Sequence, residues 1–122
     1  MRALAIDDNP GILMLLSDIL ADMNVEVTEA TDCQMGWEII ETETPFDVVL
    51  IDWMTPRMSG LELLKLIRSN ARYKDVVLLM VTGLTEVDEV SQALQSGANE
   101  YLMKPFTKEM LEDKLKLCGV PL

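Results

Sequence analysis

The sequence predicts one α/β domain, a parallel sheet of five strands covered by helices on both faces. Three observations carry this. Short apolar runs alternate with amphipathic stretches five times along the chain. The run Val48–Ile51 is apolar without interruption, as a buried strand is. Cap and stop residues stand at the expected helix ends. The 122 residues suffice for one domain with a real core and not for two.

The elements follow in order. "ALAI" at 3–6 reads as a strand. Asn9 can cap a helix with Pro10 in its first position, and Ile12, Leu15, Leu16, Ile19, Leu20 and Met23 then recur at helical spacing. "VEVTEA" at 25–30 alternates and reads as an edge strand. Residues 32–43 place Cys33, Trp37 and Ile40 on one helical face. "FDVVLI" gives the third strand, and Gly60 to Ser69 a helix with Leu63, Leu64 and Ile67 inward. "VVLLMV" is the fourth strand. Thr85 and Asp88 resemble a capping box opening a helix whose apolar stripe is Val87, Val90 and Leu94, ended by Gly97. "EYLM" at 100–103 is a short fifth strand. Thr107 caps the last helix, with Leu111, Leu115 and Cys118 inward and Gly119 at its end. The nine methionines are expected mostly in core positions.

Composition narrows function. A net charge of −11 excludes the basic footprint of a nucleic-acid binder and disfavours an anionic membrane surface. The longest apolar run, Val76–Val81, is too short to cross a bilayer, and acids arrive too early for a signal peptide. Cys33 and Cys118 have no metal or redox spacing and read as free thiols of a reducing, cytoplasmic compartment. The absence of histidine removes Ser-His-Asp and Cys-His chemistry and histidine metal sites together.

In parallel sheets of this kind ligands bind at the carboxyl ends of the strands. The residues just past those ends are Asp7 and Asp8, Asp52, Thr82 followed by Gly83, and Lys104 followed by Pro105. Each alone has a plain reading: helix-start acids, a turn residue, a strand-end hydroxyl, a solvated lysine. Four separate segments delivering them to one rim is a different matter. Clustered carboxylates are hard oxygen ligands suited to Mg²⁺. A carboxylate can accept a phosphoryl group, and an ammonium with a divalent cation can hold the charge of its transfer.

The strings "IDDN", "LIDWMTPRMSG", "VTG" and "EYLMKPF" resemble the receiver domain of two-component response regulators over essentially the whole chain, residues 1–122. They most resemble single-domain, CheY-type chemotaxis regulators. The resemblance implies a doubly wound, flavodoxin-like sheet in strand order 2-1-3-4-5 with five helices. It implies Asp52 as the phosphorylated residue. It implies Mg²⁺ bound by Asp8 and Asp52, by the Met54 carbonyl, and by Asp7 through water. Thr82 would be the switch hydroxyl, Tyr101 the aromatic that turns inward after it, and Lys104 the partner of the phosphoryl oxygens. The Lys104–Pro105 bond would be cis. The fourth helix, fifth strand and fifth helix would form the output surface.

A histidine kinase (CheA-like) would be the donor, and in chemotaxis the flagellar motor switch the target. The protein would be a monomer and a phosphoacceptor with only its own self-phosphorylation and autodephosphorylation chemistry, not an enzyme. Two positions that often carry polar residues in relatives are apolar here, Met54 and Leu84, so the aspartyl phosphate is expected to hydrolyse slowly.

Three other readings fit less well. An aspartate-based phosphotransferase of the haloacid dehalogenase type wants D-x-D-x-T/V, and "DWMTP" lacks the second acid. A flavin or nucleotide binder wants a Gly/Ser/Thr-rich loop after the first strand, where "DDNPG" is its electrostatic opposite. A receiver-like module that works without phosphorylation usually lacks an acid or the lysine, and both are kept. A receiver cut from a longer regulator with an output domain has the same sequence signature.

Overall fold

The structure, a computed structural model, describes residues 1–43, 45–83 and 87–122, with the backbone alone for Val87. Five strands, β1 (Arg2–Ile6), β2 (Glu26–Ala30), β3 (Val48–Asp52), β4 (Val77–Thr82) and β5 (Glu100–Met103), alternate with five helices. The helices are α1 (Pro10–Asp22), α2 (Cys33–Thr42), α3 (Gly60–Arg68), α4 (Val87–Gln95) and α5 (Lys108–Leu117). All strand pairings are parallel, in the order β2-β1-β3-β4-β5. The expected doubly wound sheet is therefore the observed one.

Strand alternation sorts the core into two layers. Ala3 and Ala5 of β1 face α1 and α5, joining Leu16, Leu20, Leu50, Leu79, Leu111 and Leu115. Leu4 and Ile6 face the other way, joining Val49, Ile51, Leu63, Leu64, Ile67 and Met80. β3, in the middle, is buried along its whole length. Burying it on both faces is what a continuous apolar run permits. β2, at the edge, is less buried: Glu26 and Glu29 are exposed, Val27 and Thr28 partly buried, and only Ala30 is buried.

The caps behave as their chemistry predicts. Asn9 accepts from the amides of Gly11 and Ile12, and Thr107 from that of Met110. Gly97 and Gly119 close their helices at positive φ. Thr85 and Leu84 lie outside the described residues, so the capping pair at 85–88 does too.

Three expectations are corrected. In α1 Leu13 joins Leu16, Ile19 and Leu20 in the core, whereas Leu15 is 40% exposed. In α4 the residue packed against the sheet is Ala93, and Leu94 faces out. The methionines are not mainly core: Met80 is fully buried, but Met1, Met14, Met35, Met54 and Met110 are all exposed. A further element, the 3-10 turn Ala71–Tyr73, had no counterpart in the sequence reading. Its Tyr73 ring meets Trp37 of α2 edge-on at 6.0 Å.

Arg68 ties the end of α3 to the lower edge of the sheet. Its guanidinium donates to the carbonyls of Gly97, Tyr73 and Val76 and to Asn99 Oδ1, at 2.8–3.2 Å. The same Asn99 oxygen accepts from the Leu78 amide at 2.8 Å, which locks the start of β4 to the α4–β5 turn. Burial pushes the Arg68 pKa down, and the oxygens that receive its N–H groups are neutral, so carbonyl dipoles carry the charge. Arg68→Met is expected to cost about 2–3 kcal/mol, because charge-assisted bonds are lost and half-buried carbonyls are left short of donors. Urea unfolding of the two proteins measures this.

Candidate phosphoryl-acceptor site

The carboxyl ends of β1, β3, β4 and β5 form one rim because the register aligns them. Ile6 stands opposite Ile51, Asp52 opposite Val81, and Thr82 opposite Met103. The next residue of each chain segment therefore falls at the same height. Asp7, Asp52 and Thr82 are buried there, at 1%, 8% and 4% exposure, while Asp8 is exposed.

Lys104 is the cation that makes this possible. Its Nζ lies 2.6 Å from Asp7 Oδ2 and 3.4 Å from Asp52 Oδ1. Its backbone amide donates to the Thr82 carbonyl at 2.8 Å, which fixes where the side chain starts. The Lys104–Pro105 peptide is cis. Asp7 Oδ1 also accepts from the Asn9 amide at 2.9 Å, so this carboxylate has partners on both oxygens.

Asp52 is less well served. Burial raises its pKa, the neighbouring Asp7 charge raises it further, and Lys104 only partly opposes them. Lys104 responds in the complementary direction. Burial alone would lower its pKa, but the bond to Asp7 and the charges of Asp52 and Asp7 outweigh that and raise it. The lysine is a permanent cation at neutral pH.

Oxygens of Asp7, Asp8 and Asp52 all lie within 4.8 Å of one another. Three hard carboxylate donors so close, with one ammonium among them, leave an excess of negative charge that suits a small divalent cation. The donor set fits Mg²⁺. Met54 stands two residues past Asp52 with its side chain 68% exposed, leaving its carbonyl as the group it could offer. Tyr101 is half-buried on β5, and together with Thr82 it lines a small cavity of about 10 Å³ completed by Trp53, Met80, Glu89, Val90 and Ala93.

Several positioning residues were not singled out from the sequence. Gly60 abuts the end of β3: a Cβ there would collide with the Asp52 carbonyl and stand 3.0 Å from Trp53 Cα. Only a residue without Cβ allows the Gly60 amide to donate to the Trp53 carbonyl at 2.8 Å. Thr55 Oγ1 accepts from the Cys33 amide and donates to the Met58 carbonyl. Arg57, at positive φ, pairs with Asp32, the cap of α2. The Met35 amide and the Arg57 guanidinium hold the Asp32 pKa below the usual range. The Ser-Gly pair opening α3 was visible in "PRMSG"; the partnership of Arg57 with Asp32 had no local signal.

Comparison with known proteins places the chain in a family. The profile of the response regulator receiver domain matches residues 3–116. The chain belongs to the response regulator receiver family. Chemotaxis protein CheY1 of Helicobacter pylori is 34% identical over 118 residues, covering 96% of this chain and 95% of that protein. Chemotaxis protein CheY of Pseudomonas aeruginosa is 32% identical, covering 95% and 94%. The solved structure of the Vibrio cholerae chemotaxis response regulator CheY4 superposes with a TM-score of 0.89 at 32% identity, covering 96% of this chain and 97% of that one. The receiver thus shares fold and length with CheY-type regulators, which supports a phosphorylation-activated signalling role. No helix among its described residues is long and apolar enough to cross a membrane.

The raised Asp52 pKa has a consequence for stability. A folded-state carboxyl that holds its proton more tightly than the unfolded one loses stability as pH rises from the unfolded to the folded pKa, and carries the full penalty above that. Asp52→Asn is therefore expected to raise the melting temperature of the metal-free receiver by a few degrees at neutral pH. The gain should fade below the ordinary aspartate range and reverse in Mg²⁺, where the wild type keeps a ligand that binds only the folded state. Thermal melts across pH, with and without Mg²⁺, check each part.

Proposed function

We propose that the receiver is a signalling switch turned on by phosphorylation of Asp52 and off by hydrolysis of the aspartyl phosphate. The observation that supports this best is the under-compensated Asp52 carboxylate, buried at the end of β3 beside a cation and a pair of acids. A carboxylate kept there at a cost in stability needs a compensating use.

The donor would be the phosphohistidine of a CheA-like histidine kinase, or a small acyl phosphate. An Asp52 oxygen attacks phosphorus in line, the P–N bond to the donor imidazole breaks, and the imidazole leaves with its electron pair and takes a proton. Lys104, already 3.4 Å from Asp52, is placed to follow the charge that gathers on the phosphoryl oxygens. Asp7 holds that ammonium in place from its other side. Asp7, Asp8, Asp52 and the Met54 carbonyl would hold Mg²⁺, which when bound neutralises charge on the transferring group.

Thr82, at the end of β4, is the hydroxyl nearest in register to Asp52 and would bond a phosphoryl oxygen. Its movement frees space in the cavity it shares with Tyr101, and the Tyr101 ring would turn into it. The surface of α4, β5 and α5 then changes, biasing a two-state equilibrium toward the form a target recognises. In this reading the target would be the flagellar motor switch; relatives named as chemotaxis proteins support a chemotaxis role. Catalysis on a separate substrate is not part of this reading, and the receiver works as a cytoplasmic monomer.

Intact mass after incubation with acetyl phosphate and Mg²⁺ tests the core of it. One added phosphoryl group is expected on wild type and none on Asp52→Asn or in EDTA. Lys104→Arg and Thr82→Ala should accept the group yet fail to pass it on to output. Following the decay of the wild-type adduct beside Met54→Asn tests the slow hydrolysis: the variant should lose its group faster. A folded wild type that binds Mg²⁺ and gains no mass would contradict the proposal and favour a module that binds partners without phosphorylation.

A further inference from the structure

Glu89, in the first turn of α4, presents an unusual atom. Its Oε2 is shielded from solvent and has no hydrogen-bond partner among the described residues. A buried acceptor without a donor is costly, and native proteins keep few. This one lines the cavity that also holds Thr82 and Tyr101. At about 10 Å³ the cavity is at the lower limit for a single water.

Tyr101 has the opposite need. Its hydroxyl makes no hydrogen bond to another described residue, and its partly buried ring meets Lys114, whose Nζ stands 4.6 Å from the ring centroid. Lys114 is itself fixed by Glu100 Oε1 at 3.3 Å. So α5 supplies a contact that favours the outward ring, and α4 supplies an unused acceptor on the inward side.

We propose that the Glu89 side chain is the acceptor of the Tyr101 hydroxyl when the ring turns inward, and that Lys114 is the counterweight that holds the ring outward. This rests on the reading of Tyr101 as a two-position ring and names the residues that set its balance. Glu89 is a positioning residue in this scheme, since it acts on the switch through Tyr101 and touches no phosphoryl oxygen. Moving the ring inward exchanges a cation–ring contact for a hydrogen bond to Glu89 Oε2, which has no partner among the described residues. The phosphoryl group then adds to this balance by drawing Thr82 away and enlarging the space for the inward ring.

Fluorotyrosine labelling gives the test, because the chain has two tyrosines and Tyr73 serves as the internal reference. The ¹⁹F solvent isotope shift of Tyr101 reports whether its ring is wet or enclosed. In the unphosphorylated protein, Lys114→Met is expected to move Tyr101 toward the enclosed state. Adding Glu89→Leu should undo this, lowering the inward-to-outward ratio about tenfold, as loss of a hydrogen bond to a charged acceptor does. Glu89→Gln, which keeps an acceptor oxygen, should retain most of the inward population. A Tyr101 signal left unchanged by Glu89→Leu in the Lys114→Met background overturns the proposal, as does a glutamine variant no better than the leucine one. None of these comparisons uses phosphorylation. Failure of the mass test would remove the proposed function while leaving this result to stand or fall by itself.

Discussion

The ammonium of Lys104 set between two buried carboxylates is the interaction on which the rest of the site depends. Asp7 and Asp52 come from strands far apart in sequence, and their charges would repel across a poorly solvated rim. One lysine from the end of β5, 2.6 Å from the first and 3.4 Å from the second, makes their burial tolerable. It does not make it comfortable. Asp7 takes the short contact and has a second donor in the Asn9 amide, whereas Asp52 is left with a raised pKa. The asymmetry matters to the proposed chemistry, because Asp52 is the carboxylate left with capacity for a metal or a phosphorus atom.

The remainder of the fold keeps those three groups from separating. Parallel register puts the strand ends level, so a single side chain can reach both acids. Gly60 lets α3 start against the backbone of Asp52 and Trp53, which anchors the loop that follows Asp52. Asp32 with Arg57, and Thr55 with Cys33 and Met58, fasten the same loop to the start of α2. At the opposite end of the sheet Arg68 and Asn99 hold β4 and β5 in step. A frame of fixed contacts around a partly compensated carboxylate suits a site whose geometry must be ready before its ligand arrives. The cavity shared by Thr82, Glu89 and Tyr101 is the part with room to move.

Much of this was legible in the sequence, and the misses share a physical cause. The strand-end residues could be read because alternating strands and helices leave little choice of topology, and parallel sheets gather chemistry at one end. The buried strands were plain because Val48–Ile51 and Val76–Val81 are apolar throughout. Helix faces were harder. In α1 apolar residues fill Ile12 to Leu16 without a gap, so spacing alone cannot choose Leu13 over Leu15. In α4 the small Ala93 takes the position closest to the sheet, and Leu94, the larger and more apolar residue, lies outside. The methionines misled because flexible thioethers suit core and surface alike. Asp32 with Arg57, and Arg68 with the α4–β5 turn, join residues 25 to 31 positions apart, and no local pattern announces such pairs.

Lys104 compensates Asp52 only in part and leaves room for a second cation; the chemistry of the rim rests on that shortfall. Carbon-13 NMR titration of the aspartate side-chain carboxyls in the metal-free protein, repeated with Mg²⁺, measures it. Asp52 is expected to titrate above the ordinary aspartate range without metal, with Mg²⁺ drawing its midpoint down. An Asp52 that titrates in the ordinary range or below it, and does not respond to Mg²⁺, would contradict this.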